Sequence, residues 1–188
     1  MALLVSILYF LVLSCCLEAT AARNYENTLT VENGGPRGNW GAIELCPEGY
    51  ARGFALKVQE RQGILRDDTA LNGIRLYCTN GEVIESKTGP WGEWTEAKYC
   101  PKRNLISFTL RVDKRRGFGH DNKAAVNVRF ICQGGQVLTG NSYKSGDFGP
   151  WSDRCSSSSI CGLQTKVEDQ QGSGDESALN DVRFFCCS

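Results

Sequence analysis

The chain contains three versions of one twelve-residue pattern at a constant spacing. DDTALNGIRLYC begins at residue 67, DNKAAVNVRFIC at 121 and DESALNDVRFFC at 175, so successive copies start 54 residues apart. Each copy opens on Asp, carries Ala at its fourth position and Arg at its ninth, and closes on Cys. A fixed period of this length is typical of a supersecondary unit that buries its apolar face only against its neighbours. The chain is therefore predicted to fold as three equivalent units.

Each unit has the residue pattern of β-strands. Apolar residues alternate with more polar ones in GFALKV from residue 53 and in SFTLRV from residue 107. This period of two indicates strands with one buried face, and glycine-containing turns separate them. A unit of this length has room for about four strands. We predict an all-β fold of three four-stranded sheets around a common axis, with a three-sided prism favoured over a small trefoil-like barrel.

A glycine-rich element with a tryptophan precedes each unit: GPRGNW from residue 35, GPWGEW from 89 and GDFGPW from 146. This alignment gives each repeat one equivalent tryptophan: Trp40, Trp94 and Trp151. We interpret these rings as core residues, because a large ring in every repeat is more simply structural. Trp91 aligns with Arg37 and Phe148 and is therefore the candidate for an exposed stacking surface.

The first 21 residues have the pattern of a secretory signal peptide. An apolar run from Leu3 to Leu17 is followed by Ala19-Thr20-Ala21, the small-residue pattern of a cleavage site. A membrane anchor is the alternative, but the run is short for a membrane span. We expect a secreted, extracellular protein without membrane insertion. Its residues 22–188 should form one domain with repeats over about 35–88, 89–145 and 146–188.

Composition argues against several classes of function. The 21 basic residues are balanced by 21 acidic ones, so the basic stripe that nucleic-acid binding requires is not expected. His120 is the only histidine and no CxxC pair occurs, so we expect neither a metal nor another cofactor. No serine lies in a GxSxG motif, which makes a hydrolase triad improbable.

Eight cysteines remain after the predicted cleavage, and an even number in a secreted chain indicates four disulfides. Equivalent positions in the first two repeats predict two bridges: Cys46–Cys78 and Cys100–Cys132. In the third repeat we predict Cys155–Cys186 with Cys161–Cys187, and the alternative is Cys155–Cys187 with Cys161–Cys186.

The acidic start of the repeated string is the candidate ligand site. Pseudo-threefold symmetry would bring the three copies to the same end of a prism. The predicted ligand-binding residues are the two polar residues that open each copy: Asp67, Asp68, Asp121, Asn122, Asp175 and Glu176. Carboxylates and amides accept hydrogen bonds from sugar hydroxyls, so neutral oligosaccharides suit such a site, with Trp91 as a secondary candidate. The alternative is turn chemistry, in which Asp and Asn bond their own backbone.

Arg75, Arg129 and Arg183 occupy the ninth position of the three copies. They are interpreted either as solvated charges on a strand face, which oppose aggregation, or as bidentate partners of the acidic residues.

Several of these features resemble the vitelline membrane outer layer protein family from about residue 30 onward. They are the Trp-x(5)-Cys spacing of the first two repeats, the D-[DEN]-x-A-x(3)-[IV]-R-[LF]-x-C string and the terminal RFFCC. The resemblance implies a β-prism of three Greek-key sheets, similar to jacalin-type lectin domains, and secretion into extracellular coats such as the egg's vitelline layer. It also implies a lysozyme-like transfer activity on N-acetylglucosamine oligomers as an alternative, without indicating catalytic residues.

Three functions are thus under consideration. The main hypothesis is a non-enzymatic, disulfide-stiffened coat protein whose partners are oligosaccharides or glycoproteins. The second is an N-acetylchito-oligosaccharide transferase, in which carboxylates act as general acid and base on a glycosidic bond. The third is a lectin with one sugar site per repeat.

Overall fold

The computed structural model describes residues 23–59, 71–117, 120–169 and 179–188, and for 114–117 and 120–123 it describes the backbone alone. This part of the chain contains fourteen β-strands in three antiparallel sheets and no α-helix. Nowhere in these ranges is there a helix of the length and hydropathy needed to span a membrane. The all-β prediction is confirmed, and the strands form three separate sheets instead of a trefoil-like barrel.

The first sheet has the strand order β6-β5-β4-β7, and the short β8 also pairs with β4. Its strands are β4 (Ala51–Val58), β5 (Leu71–Cys78), β6 (Val83–Glu85), β7 (Glu93–Trp94) and β8 (Lys98–Tyr99). The fourth strand along the chain returns to lie beside the first, which is the Greek-key arrangement.

The second sheet repeats this connectivity with the order β11-β10-β9-β12. Its strands are β9 (Leu105–Gly117), β10 (His120–Cys132), β11 (Val137–Thr139) and β12 (Asp147–Phe148). The β9–β10 hairpin has 13 residues in each strand, compared with 8 in β4 and β5. The second sheet therefore has the longest central hairpin of the three.

The third sheet combines the two ends of the described chain in the order β1-β14-β13-β2, and β3 also pairs with β13. Its strands are β1 (Asn27–Leu29), β2 (Asn39–Trp40), β3 (Glu44–Leu45), β13 (Ser159–Val167) and β14 (Leu179–Cys187). The early strands β1 and β2 occupy the places that β6 and β7 occupy in the first sheet. The sheets are consequently offset from the sequence repeats.

The core of the molecule includes one equivalent cross-strand pair from each sheet. The three pairs have equivalent registers: Phe54 with Leu76, Phe108 with Phe130, and Leu163 with Phe184. All six side chains are buried. The ring centroids of Phe54 and Phe130, and of Phe108 and Phe184, are 4.7 Å apart, so the contacts cross from sheet to sheet. Burial of each side chain contributes about 1.5–3 kcal/mol, so each sheet supplies a third of one shared core.

The described part of the chain contains four disulfides: Cys46–Cys78, Cys100–Cys132, Cys155–Cys186 and Cys161–Cys187. The first three connect the sheets in a ring. Cys46 N–H donates to Cys161 O of the third sheet while Cys78 ends β5 of the first. Equivalent backbone contacts of Cys100 and Cys155 continue the ring. Each bridge stabilises the fold by roughly 3–4 kcal/mol, because it restricts the unfolded chain. The pairing of Cys155 with Cys186 and of Cys161 with Cys187 confirms the prediction for the third repeat.

A glycine with positive φ immediately precedes the fourth strand of each sheet, which is β2, β7 or β12. Gly38, Gly92 and Gly146 have φ values of 84°, 87° and 69°. A methyl group built on any of them would overlap the backbone of the neighbouring central strand, at Val167, Val58 and Val112 respectively. Glycine alone tolerates both the left-handed conformation and this close approach. These three residues therefore fix the position at which each fourth strand joins its sheet.

The positions of these three glycines correct the alignment of the tryptophans. Gly146 is followed by Asp147 and Phe148, so Phe148, and not Trp151, is the structural equivalent of Trp40 and Trp94. Trp151 lies three residues further along and is 41% exposed, so the interpretation of it as a core residue was wrong. Trp40 and Trp94 are half-buried and also lie outside the core. The structural equivalents of Trp91 are Arg37 and Ser145.

The repeated arginines stack on these aromatic rings. The guanidinium carbon lies 4.0 Å from the ring centroid for Arg183 with Trp40 and for Arg75 with Trp94, and 3.9 Å for Arg129 with Phe148. A cation over a ring face contributes about 0.5–1 kcal/mol at a partly exposed site. The arginine thus holds the fourth strand against its sheet, a role that neither interpretation from the sequence included.

The glycine contact predicts a specific stability difference. Gly81 also has positive φ, at 94°, but an added methyl group there meets no atom within 4 Å. Gly81→Ala should therefore cost only the left-handed strain of about 1–2 kcal/mol. Gly92→Ala should cost about 1–3 kcal/mol more, because the methyl group also overlaps Val58. Equilibrium urea unfolding measures both variants, and equal losses would contradict the close-approach role of Gly92.

Candidate functional site

Three loops meet at one end of the prism, here named the loop end. They are residues 30–38 between β1 and β2, 86–92 between β6 and β7, and 140–146 between β11 and β12. β4 finishes at Val58 and β13 at Val167 at this same end, because β7 pairs with Val58 and β2 pairs with Val167. The disulfides of the ring lie at the opposite, C-terminal ends of β5, β10 and β14.

The predicted acidic residues are only partly within the described structure. Asp67, Asp68, Asp175 and Glu176 lie outside the described residues. Asp121 and Asn122 lie in β10, where their backbones pair with Arg116 and Arg115 of β9. In the second sheet these two residues therefore belong to a strand and not to a turn, because the β9–β10 pairing continues as far as His120 and Gly117.

A charged cluster lies where the loop end meets the third sheet. Asp169 accepts hydrogen bonds from Lys87 Nζ at 2.5 Å and from Asn39 Nδ2 at 3.1 Å. The hydrogen bond from Lys87, and next that from Asn39, lower the pKa of the Asp169 carboxyl group. The neighbouring Glu168 is almost buried and lies 3.8 Å from the Arg37 guanidinium. Asp169 and Lys87 thus connect the third sheet to the loop of the first.

The chemistry differs where the loop end meets the first sheet. Trp91 is 44% exposed there, immediately before the close contact of Gly92 with Val58 and Gln59. Tyr143, from the loop of the second sheet, donates a hydrogen bond from Oη to Gln59 O at 2.7 Å. This corner therefore presents aromatic rings instead of a charged cluster.

The loop of the third sheet contacts the second sheet. Asn33 Nδ2 donates to Leu110 O of β9 at 2.8 Å. All three loops thus bind a neighbouring sheet, and the loop end is held together by contacts between sheets. Sequence analysis missed Lys87, Tyr143 and Asp169, because none of them recurs in the other repeats.

Asp181 contacts the loop between β1 and β2 at the loop end. Its carboxylate is partly buried in β14, and the backbone of Gly34 lies directly against it. Burial raises the pKa of this carboxyl group, while the hydrogen bond from Val182 N–H and the charges of Lys166 and Arg183 act in the opposite direction. The equivalent residue of the second sheet is Asn127, whose Oδ1 accepts from Val128 N–H at 2.8 Å, as Asp181 Oδ1 does from Val182 N–H.

The arrangement can offer hydrogen-bonding groups and exposed rings to a polar ligand. Within the described ranges, no group of three or more His, Cys, Asp or Glu side chains is placed to hold a metal ion. The aromatic corner at the first sheet and the charged cluster at the third are therefore the two distinct chemical features of the described loop end.

Asp181→Asn is predicted to stabilise the protein at neutral pH. A raised folded-state pKa means that the carboxyl group's contribution to stability is complete below its unfolded pKa and is lost as pH rises through the folded-state pKa. The Asn amide does not ionise, so the variant keeps this contribution to stability at neutral pH. Asparagine also fits the position, because Asn127 occupies the equivalent place in the second sheet. We expect a melting temperature about 2–4 °C higher at pH 7 and no change at pH 3, by calorimetry. Substitution of the exposed Asp153 by Asn is the control, and a lower melting temperature for Asp181→Asn at pH 7 would contradict this account.

Relatives of known sequence match most of the chain. The human vitelline membrane outer layer protein 1 homolog is 48% identical over 180 residues, covering 92% of this chain and 88% of the human protein. The mouse homolog is 47% identical over 172 residues, covering 87% and 85% of the two chains.

The solved structures with a similar fold include proteins described as lectins. Frutapin, a lectin from Artocarpus incisa, superposes with a TM-score of 0.55 at 17% identity, covering 88% of this chain and all of its own. Calystegia sepium agglutinin has a TM-score of 0.57 at 11% identity, with coverages of 87% and 97%. Artocarpin, described as a lectin with mannose specificity, has a TM-score of 0.55 at 15% identity, with coverages of 87% and 99%. At these identities the likeness establishes the fold, and the predicted β-prism is confirmed.

A family model agrees with the sequence relatives over nearly the whole described chain. The description of that model is vitelline membrane outer layer protein I, and it matches residues 27–188. The matched range includes all fourteen strands and all eight bridged cysteines. The chain belongs to the vitelline membrane outer layer protein I family.

Proposed function

We propose that the protein is a secreted, non-enzymatic component of an extracellular coat, such as the outer layer of the vitelline membrane, and that it binds oligosaccharides or glycoproteins at its loop end. The observation that carries this proposal is the family match over residues 27–188. Four disulfides support an extracellular setting, because such bridges persist in oxidising environments.

The fold supports carbohydrate as the ligand class. Proteins described as lectins have the same three-sheet architecture, and artocarpin is described as mannose-specific. Neutral saccharides are recognised by hydrogen bonds to their hydroxyl groups together with contacts between rings and their apolar faces. The loop end offers both kinds of group, with Trp91 exposed beside the ends of the central strands.

The ligand-binding residues of this proposal are the six that open the repeated string, together with Trp91. Asp121 and Asn122 continue the β9–β10 hairpin beyond Val112, at which the fourth strand of the second sheet begins. The equivalent residues of the other two repeats precede β5 and β14, which start at the loop end. Pseudo-threefold symmetry is thus the support for placing all six near one another.

The alternatives are an N-acetylchito-oligosaccharide transferase and a jacalin-like lectin with three equal sugar sites. A transferase would need two carboxyl groups on either side of a glycosidic bond. A three-site lectin would need the same ligand-binding side chains in all three repeats. Formation of new oligosaccharide products would distinguish the transferase from the proposed function. The number of saccharides bound per chain would distinguish the three-site lectin.

The proposal predicts binding of oligosaccharides without turnover. The chain from residue 22 would be titrated calorimetrically with N-acetylglucosamine tetramer and with mannotriose, and the mixtures incubated and analysed by mass spectrometry. We expect binding of at least one saccharide and no new product. New oligomer lengths would favour the transferase, and absence of binding to both saccharides would contradict the proposal.

Substitution tests the acidic residues separately. The triple variant Asp67→Asn, Asp121→Asn and Asp175→Asn should reduce affinity by at least about tenfold, since each lost charged hydrogen bond costs about 1.5–3 kcal/mol. The control variant removes three exposed charges elsewhere, with Glu48→Gln, Glu96→Gln and Asp153→Asn. Circular dichroism would verify folding. Equal affinity of both folded variants would contradict a ligand-binding role for the predicted acids.

A further inference from the structure

We infer that the loop end has one principal carbohydrate subsite, located at the first sheet, in which Trp91 stacks on a pyranose ring beside Tyr143 and Gln59. This inference rests on the proposed function and adds a location and a stoichiometry to it. It predicts one strongly bound saccharide per chain, although the backbone has three equivalent corners.

The exposed ring of Trp91 belongs to an anchored loop. On one side of it, Lys57 Nζ donates to Gly89 O at 2.9 Å and to Pro90 O at 3.3 Å. On the other side, Gly92 has a φ of 87° and lies directly against the backbone of Val58 and Gln59. The indole is nevertheless 44% exposed. The backbone that carries the ring is thus fixed before the ligand arrives, so little conformational entropy of the loop is lost on binding.

A second aromatic residue reaches the same strand end from another sheet. Tyr143 lies in the loop between β11 and β12 of the second sheet, and its Oη donates to Gln59 O at 2.7 Å. The backbone around Gln59 is therefore held by Gly92 from its own sheet and by Tyr143 from the neighbouring one. Tyr143 thus contacts the residue that follows β4, and Trp91 precedes the glycine that packs against the same backbone.

The other two corners have different chemistry at the equivalent positions. Trp91 corresponds to Arg37 at the third sheet and to Ser145 at the second, by the alignment of Gly38, Gly92 and Gly146. Arg37 lies 3.8 Å from Glu168 and belongs to an ionic contact. Ser145 has no ring. The threefold symmetry of the backbone is therefore broken in the side chains, and only the corner at the first sheet has an indole at this position.

The chemistry of this corner favours a neutral sugar over a protein partner. The face of an indole carries negative charge density, and the axial C–H groups on one face of a pyranose ring are apolar and slightly positive. Protein interfaces bury several apolar anchors in one core patch. Trp91 is instead bordered by the exposed Pro90 and Glu93. The exposed area of one indole matches one face of one sugar residue.

The test compares two similarly exposed tryptophans. Trp151 is 41% exposed and lies in the edge segment of the second sheet, where Ser152 N–H bonds Phe108 O, away from the loop end. Wild type, Trp91→Ala, Trp151→Ala and Tyr143→Phe would each be titrated calorimetrically with whichever of N-acetylglucosamine tetramer and mannotriose the wild type binds. Ligand-induced changes in tryptophan fluorescence would be followed in parallel.

We expect about one saccharide per wild-type chain, at least tenfold weaker binding by Trp91→Ala, and affinity within about twofold of wild type for Trp151→Ala. The fluorescence change should disappear only in Trp91→Ala, and Tyr143→Phe, which lacks the bond to Gln59, should bind a fewfold more weakly. Unchanged affinity in Trp91→Ala would overturn this inference and leave the proposed function standing. Three equal sites per chain would overturn this inference and favour the three-site lectin over the proposed function. Failure of the wild type to bind either saccharide would overturn both.

Discussion

The rest of the structure depends on the closure of the third sheet by the two ends of the described chain. Asn27 pairs with Cys186, and Trp40 pairs with Lys166, so strands from the beginning and the end of this part of the chain complete one Greek key. Without this sheet, the phenylalanines of the other two would lose one wall of their shared core. Such pairings are highly non-local, and non-local contacts make folding slow and cooperative. The ring of disulfides reinforces the same closure at the opposite end of the prism.

Closure also gives the molecule two different ends, the disulfide end and the loop end. The bridges between sheets lie at the C-terminal ends of β5, β10 and β14, while the loops lie where the fourth strands begin. The positive-φ glycines and the arginine–aromatic stacks fix those fourth strands, so the loops start from defined positions. The side chains on the three loops differ, so a symmetric backbone carries a charged cluster at one corner and aromatic residues at another.

Much of this fold could be predicted because it is encoded in local patterns repeated three times. The alternation of Phe54 and Leu56, the fixed step of 54 residues and the matching cysteine positions indicate the strands and bridges. The error over Trp151 has a local cause, since GDFGPW contains glycines that align in two ways, and only the contact of Gly146 with Val112 decides between them. The stacking of Arg183 on Trp40 was beyond sequence reasoning, because 143 residues separate partners that meet only after closure. Lys87, Tyr143 and Asp169 were missed because they do not recur, and the acidic residues remain a prediction.

If the loop end is the ligand-binding end, a saccharide should slow exchange there and leave the disulfide end unchanged. Hydrogen–deuterium exchange with and without a saturating oligosaccharide measures this along the backbone of the entire chain. We expect slower exchange in peptides covering 86–93 and 140–146, and in those joining β4 to β5, β9 to β10 and β13 to β14. Peptides around the turns 79–82 and 133–136, beside Cys78 and Cys132, should be unchanged. Protection confined to those turns or to the outer faces of the sheets would show that the saccharide does not bind at the loop end.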